Sequence, residues 1–307
     1  MTAPSSGQFA ADSPSNLHRA AAPPASMPGY TLRLQTPVAD LDPFGRLRPS
    51  GFIRLLQLAA VNASAAVGYD VDWYIRNRAT WVVRRTRLDI LGALKQGDEL
   101  SIRTWVSDFR RVRSLRQYEV TTARLEPVAR ATTDWVYVDA VTGAPTTPPA
   151  DLQAAFMTEG VSTATRPARI RAPLDGAATT VLLRDVELAD LDSLGHVNNS
   201  HYVEFAQQAL YDVLHGGGWR PQWRAAADHL QLTSIDIEYL TAALYRQTLS
   251  VRLGPLECDR QRISTPLQIA AGATPAARAV ATWQWTGSQL PSELTTAVAN
   301  LGPPPSR

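Results

Sequence analysis

The sequence predicts an α+β chain made of two copies of one unit, each a long helix lying across a curved antiparallel sheet. Two observations carry this. Ala39-Asp40-Leu41-Asp42-Pro43-Phe44-Gly45-Arg46-Leu47 returns 150 positions later as Ala189-Asp190-Leu191-Asp192-Ser193-Leu194-Gly195-His196-Val197. After each passage an apolar stripe follows, Phe52, Leu55, Leu56, Ala59, Ala60 in the first and Tyr202, Phe205, Ala206, Ala209, Leu210 in the second. Spacing of i, i+3, i+4, i+7, i+8 is one face of an α-helix. A loop and helix repeated at domain distance mark a duplicated domain.

The elements follow in order. Residues 1–27, rich in Ala, Ser and Pro, read as a disordered leader. A strand is expected near Tyr30–Thr36, then a helix from Pro49 to Val67, with Pro in the first turn and Gly68 at the cap. Thr80–Ile90, Glu99–Asp108, Arg113–Thr122 and Ala129–Val138 are dense in β-branched and aromatic residues and read as strands. These make an N-terminal domain over 28–157. Residues 158–176 read as a linker, 177–290 as the C-terminal domain and 291–307 as a tail. In the second domain, strands are expected near Thr179–Leu188, Leu230–Leu240, Thr248–Leu253, Arg262–Ala270 and Ala277–Trp285. Its helix runs from Asn199 to Leu214 and ends at Gly216-Gly217-Gly218. Beyond that helix the two copies align at a shift of 149, Leu100-Ser101-Ile102-Arg103 on Leu249-Ser250-Val251-Arg252.

Composition narrows the function. The 307 residues are 45% hydrophobic with a formal net charge of +2, enough apolar material for two folded units and no general drive toward nucleic acid or membrane. A single cysteine, Cys258, excludes an internal disulfide. No apolar run is long enough to span a bilayer, and no secretory signal begins the chain. A cytoplasmic protein without cofactor or metal is the expectation.

Asp192, Gly195, His196, Val197, Asn198, Asn199 and Tyr202 spell Asp-x-x-Gly-His-Val-Asn-Asn-x-x-Tyr, which resembles the signature loop of hotdog-fold thioesterases. The tandem arrangement resembles the acyl-acyl carrier protein thioesterases, whose relatives include the 4-hydroxybenzoyl-CoA thioesterases. Trp81-Val82-Val83-Arg84-Arg85, Gly97-Asp98 and Thr104-Trp105-Val106-Ser107 agree with the N-terminal domain of that family. The resemblance implies two tandem hotdog domains and hydrolysis of an acyl or aroyl thioester of carrier protein or coenzyme A. It implies Asp192 as base or nucleophile, with His196 and Asn198 as catalytic partners. Gly195, Asn199, Tyr202 and Glu238 are then substrate-binding candidates. Arg110, Arg111 and Arg113 are weaker candidates for docking a carrier protein or coenzyme phosphates. The double unit would stand as a monomer or pair as a homodimer.

The residues themselves support this chemistry. Unpaired N–H groups at a helix N-terminus can polarise a thioester carbonyl, one such donor being worth about 3–4 kcal/mol in the transition state. A carboxylate in the preceding loop can activate water or attack directly. The chain departs from plant members of the family at Leu194, where they carry Asn. It departs again at Ala242 and Ala243, where they carry an acid and a Cys after the Glu-Tyr pair, here Glu238-Tyr239. A hydratase, dehydratase or cyclase on a thioester-bound chain, and a non-catalytic acyl-binding protein, therefore remain open.

Overall fold

In the computed structural model, residues 29–157, 166, 168, 170, 179–220 and 228–300 are described. The expected leader and almost all of the expected linker lie outside them. The first unit runs β1 (Tyr30–Gln35), α1 (Pro49–Ala66), α2 (Val71–Arg76), β2 (Ala79–Ile90), β3 (Glu99–Arg110), β4 (Arg113–Thr122), β5 (Pro127–Asp139) and α3 (Ala150–Phe156). The second runs β6 (Thr179–Asp185), α4 (Asn199–Gly216), β7 (Leu230–Tyr239), β8 (Thr248–Leu253), β9 (Glu257–Asp259), β10 (Arg262–Ala271), β11 (Thr274–Trp285) and α5 (Ser292–Asn300).

All eleven strands join one antiparallel sheet of order β1-β3-β4-β5-β2-β7-β11-β10-β8-β6, with β9 added to β10. Read from either end the order is the same, so a pseudo-twofold axis passes between β2 and β7. Each half is a hotdog: a central helix on a sheet of order 1-3-4-5-2. The expected α+β class and tandem hotdog organisation are what the chain adopts. The core is not divided between the two units. One hydrophobic cluster runs through both halves, from Phe52, Leu56 and Leu88 to Phe205, Leu210 and Ile235. The reason is the sheet itself, which does not break at the domain boundary.

The axis is chemically asymmetric. At the β2–β7 junction Arg87 faces Asp236, which is its own counterpart at the 149 shift. Where the helices meet, the Arg54 guanidinium lies 3.3 Å from Glu204, its counterpart at the 150 shift. Arg85 forks onto Asp236 at 2.7 and 2.6 Å. The first half presents cations at the axis and the second presents anions. A symmetric pair of identical halves would place like charges opposite each other there.

Three further differences from expectation have local causes. Residues 292–300 of the expected tail form α5, which buries Leu294, Ala297 and Val298. The close approach of Gly217 to the Ala297 backbone leaves no room for a side chain there and shows where α5 packs on α4. Short α2 and α3 close a second, smaller cluster of Ala79, Val106, Tyr137, Leu152 and Phe156. Neither helix has more than two turns of periodicity, too little to stand out in sequence.

Candidate active site

Each repeated passage folds into the same turn. In the first, Gly45 N–H donates to the Asp42 carbonyl at 3.0 Å and Asp42 N–H to the Arg46 carbonyl at 2.7 Å. In the second, Gly195 N–H donates to the Asp192 carbonyl at 3.0 Å and Asp192 N–H to the His196 carbonyl at 2.9 Å. Gly45 and Gly195 sit at φ of 77° and 76°, left-handed backbone that favours a residue without a Cβ. In both turns the Asp Oδ1 accepts a main-chain N–H two residues on, Phe44 at 2.8 Å and Leu194 at 2.9 Å. Turn-making thus accounts for the Asp and Gly in both copies.

The copies then diverge. In the first half Arg46 fills the turn. Its main-chain N–H reaches Asp42 Oδ1 at 2.9 Å and its Nε reaches Oδ2 at 3.0 Å. Its Nη1 crosses the axis to the Asp228 carbonyl at 2.9 Å and carboxylate at 2.8 Å. That carboxylate is fully engaged, and the first loop is a brace between halves. In the second half His196 stands at this position, with Nδ1 3.4 Å from Asp192 Oδ2. Both side chains keep about a quarter of their surface accessible, 25% and 23%. The main-chain N–H of His196, unlike that of Arg46, has no hydrogen-bond acceptor among the described residues; neither does that of Asn199, the first residue of α4. A carboxylate, an imidazole and two amides without a described acceptor therefore lie within the eight residues from Asp192 to Asn199 that lead into α4, whose N-terminal dipole favours negative charge.

Asn198 is the N-cap of α4, its Oδ1 accepting from Ser200 N–H at 3.0 Å. Its Nδ2 lies 3.4 Å from Gln57 Oε1 on α1, so the first half contributes to the second half's loop. Gln57 is a residue the sequence reading missed; its only signal was its place on α1 facing the duplicated helix. Val197 N–H is held by the Ala243 carbonyl at 2.9 Å, fixing the loop onto the β7–β8 connection. Leu194 is 50% exposed beside the turn, and Leu244, which bridges to His196, is 49% exposed. The rim of the site is apolar.

The remaining candidates divide. Tyr202 is buried one turn into α4, its ring edge-on to Tyr239 at 5.5 Å, and burial pushes its hydroxyl up to about 12. Tyr239 donates to the Asn199 carbonyl at 3.2 Å, so both tyrosines support the start of the helix from below. Glu238 is not brought to the site. Because Tyr239 points at α4, alternation along the strand turns Glu238 to the opposite face. There Arg278 Nε donates to it at 2.6 Å, and Arg85 lies 3.9 Å away. Its role is an ion-pair network on the outer face of the sheet. Arg110, Arg111 and Arg113 occupy the β3–β4 hairpin. Arg110 pairs with Asp108 at 3.3 Å, and Arg113 with Asp134, which Arg166 also holds at 2.9 Å. Arg111, exposed at φ 50°, forms no ion pair among the described residues. His201 pairs with Glu204 at 3.0 Å beside the axis. Cys258 is exposed on β9, away from the loop. No group of metal-ligating side chains is found among the described residues, and none of the described helices is long and apolar enough to cross a membrane.

The comparison with known families adds what geometry alone does not. A family model described as the thioesterase-like superfamily matches residues 36–156 and again 186–297, one match per half. The chain belongs to this superfamily. Among solved structures, it is similar to one assigned as an oleoyl thioesterase from Lactobacillus plantarum, with TM-score 0.71 and 20% identity over 86% of this chain and 99% of that one. An acyl-ACP thioesterase from Bacteroides thetaiotaomicron gives 0.67 and 16% identity over 83% and 97%. The 12:0-ACP thioesterase from Umbellularia californica gives 0.65 and 17% over 84% and 97%. These likenesses show that the double fold is shared over most of this chain. No curated protein matches the chain in sequence.

Proposed function

We propose that the protein is a thioesterase that hydrolyses an acyl or aroyl thioester of acyl carrier protein or coenzyme A, with one active loop per chain. The observation that carries this reading is the difference between the two turns. Arg46 neutralises Asp42 and consumes its acceptors, whereas Asp192 keeps one oxygen toward His196, next to the free N–H groups of His196 and Asn199.

In this reading the thioester carbonyl oxygen is bound by the two amides. Asp192 takes a proton from water as its oxygen adds to the carbonyl carbon. The tetrahedral oxyanion then collapses, the C–S bond breaks, and the departing thiolate takes up a proton. His196 orients the carboxylate, and Gln57 with Asn198 holds the loop against α1. Each amide contributes about 3–4 kcal/mol to the transition state and general-base help about 10²–10⁴ in rate. The apolar rim of Leu194 and Leu244 suits an acyl or aroyl group. It also favours the second reading, an acyl-binding protein without turnover, since it stands where a polar group would assist chemistry.

The test is thiol release from a panel of acyl-coenzyme A and acyl-carrier substrates. Asp192→Asn retains an oxygen acceptor for Leu194 N–H, so it removes charge without removing the turn. A fall in kcat of at least tenfold is expected. Turnover that is unaffected in this variant would refute the assignment, and binding without any thiol release would favour the second reading. Products in which the thioester survives would point instead to a hydratase or dehydratase.

A further inference from the structure

A second polar site lies in the first half, away from the loop. A cavity of about 270 Å³ opens between the C-terminal end of α1, strands β1 and β3, and α3. Its walls include Ala63, Ala66, Val106 and Phe156, and Arg116 of β4 lines it. Arg116 is 6% exposed. Among the described residues its guanidinium makes one hydrogen bond, Nη1 to Thr104 Oγ1 at 3.3 Å, and lies 5.3 Å from the Phe156 ring centroid. No described carboxylate pairs with it. A guanidinium has five N–H donors, and buried charges are normally paired.

The duplicated half shows that the fold does not require a cation here. At the 149 shift Arg116 corresponds to Thr265, whose hydroxyl is satisfied by the Gly254 carbonyl at 3.1 Å. Thr104 corresponds to Leu253. Burial without an anion pulls the Arg116 pKa below its usual value, so the free site is electrostatically unfavourable.

We propose that this cavity binds a small free carboxylic acid, its carboxylate forked on the Arg116 guanidinium, which Thr104 steadies through Nη1 while giving its own proton to the Gln117 carbonyl at 2.9 Å, and its apolar body along Ala63, Ala66 and Phe156. Arg presents a planar fork that matches a carboxylate. At about 30 Å³ per water, the volume holds about nine water-sized groups, the size of a medium-chain acid. Ala63 and Ala66 lie six and nine residues past Gln57, about 9–14 Å along the helix at 1.5 Å per residue, so this site is distinct from the Asp192 loop. The proposal stands whether or not the loop hydrolyses thioesters.

The test uses the whole chain with octanoate as probe and 1-octanol as its uncharged control, followed by calorimetry and thermal denaturation. Octanoate is expected to bind at least tenfold more tightly than 1-octanol and to raise the midpoint. Arg116→Thr, which installs the residue of the other half, should weaken octanoate at least tenfold. Ala66→Leu, which fills the cavity without touching Arg116, should do the same and decides the matter if Arg116→Thr does not fold. Absence of octanoate binding, equal binding of 1-octanol, or retention of affinity within twofold in Ala66→Leu would overturn the proposal.

Discussion

Exchanging the charges of Arg54 and Glu204 tests whether the halves recognise each other electrostatically. Burial raises the Glu204 carboxyl, but hydrogen bonds from His201 and Ser50 and the charges of His201 and Arg54 outweigh it and hold the group at about 2, against a usual 4.5. At full value that depression corresponds to about 3 kcal/mol. Both side chains are 30% exposed, and solvent screening reduces the contribution to about 1 kcal/mol. Glu204→Arg loses this and adds a like-charge contact, so a destabilisation of about 2 kcal/mol is expected. Arg54→Glu should cost at least as much, because Arg54 also donates to Asp40 at 2.7 Å. The double exchange should recover about 1 kcal/mol or more of the summed single losses, a coupling of the kind that double-mutant cycles isolate, while the new carboxylate at position 54 still faces Asp40 and the new guanidinium at 204 still faces His201. Asp190, the counterpart of Asp40, would meet the new arginine as Asp40 meets the old one, although Arg184 already donates to it at 2.6 Å. Urea denaturation at pH 7 reads all three variants. Glu204→Gln adds a pH signature. A carboxyl depressed in the folded state stabilises above its usual pKa of 4.5 and ceases to as pH falls toward 2, so the gap between parent and Glu204→Gln should close over that window. A double exchange no more stable than the worse single variant, or a gap independent of pH, would refute the reasoning.

Two further outcomes follow from the same geometry. Asp42→Asn should leave turnover of any thioester substrate within twofold while lowering stability by about 1 kcal/mol, since it weakens the Arg46 brace and not the active loop; a tenfold loss of kcat would show that the first loop participates in chemistry. Gln57→Leu removes the contact from α1 to Asn198 and should lower kcat/KM severalfold with little change in stability, measured by thiol release alongside denaturation; an unchanged rate would detach the first half from the site.

Much of this architecture is legible in the sequence because duplication lets the chain act as its own alignment. The boundaries of α1, β4 and β8 are recovered to within a residue, helped by Pro49 at the helix start and by turn residues between strands. The Asp–Gly turn is legible for the same reason, since both copies need a left-handed glycine. Glu238 is misread because identity along a strand does not say which face a residue takes until the neighbouring Tyr239 is placed against α4. Gln57 is missed because its role exists only across the axis, between residues 141 positions apart. The helix at Ser292–Asn300 is missed because its apolar stripe of Leu294, Ala297 and Val298 is short and acquires meaning only against α4.

The departures between the two copies all have one direction. Where the halves must be alike to share a sheet, at the Asp–Gly turn and along the helix stripes, they are alike. Where a twofold axis would bring a residue onto its own copy, they carry opposite charges, Arg54 with Glu204 and Arg87 with Asp236. Where two equivalent loops would give two equivalent sites, one holds Arg46 and the other His196. Two identical chains cannot do this, because any change made in one half appears in the other. Covalent duplication removes that constraint. One loop can then become a brace that spans the axis to Asp228, while the other turns one carboxylate oxygen toward His196 and leaves two amides without an acceptor among the described residues. The brace and the free loop are thus one adaptation: rigidity supplied by the first copy permits the second to leave polar groups unsatisfied at a helix terminus without loss of the fold.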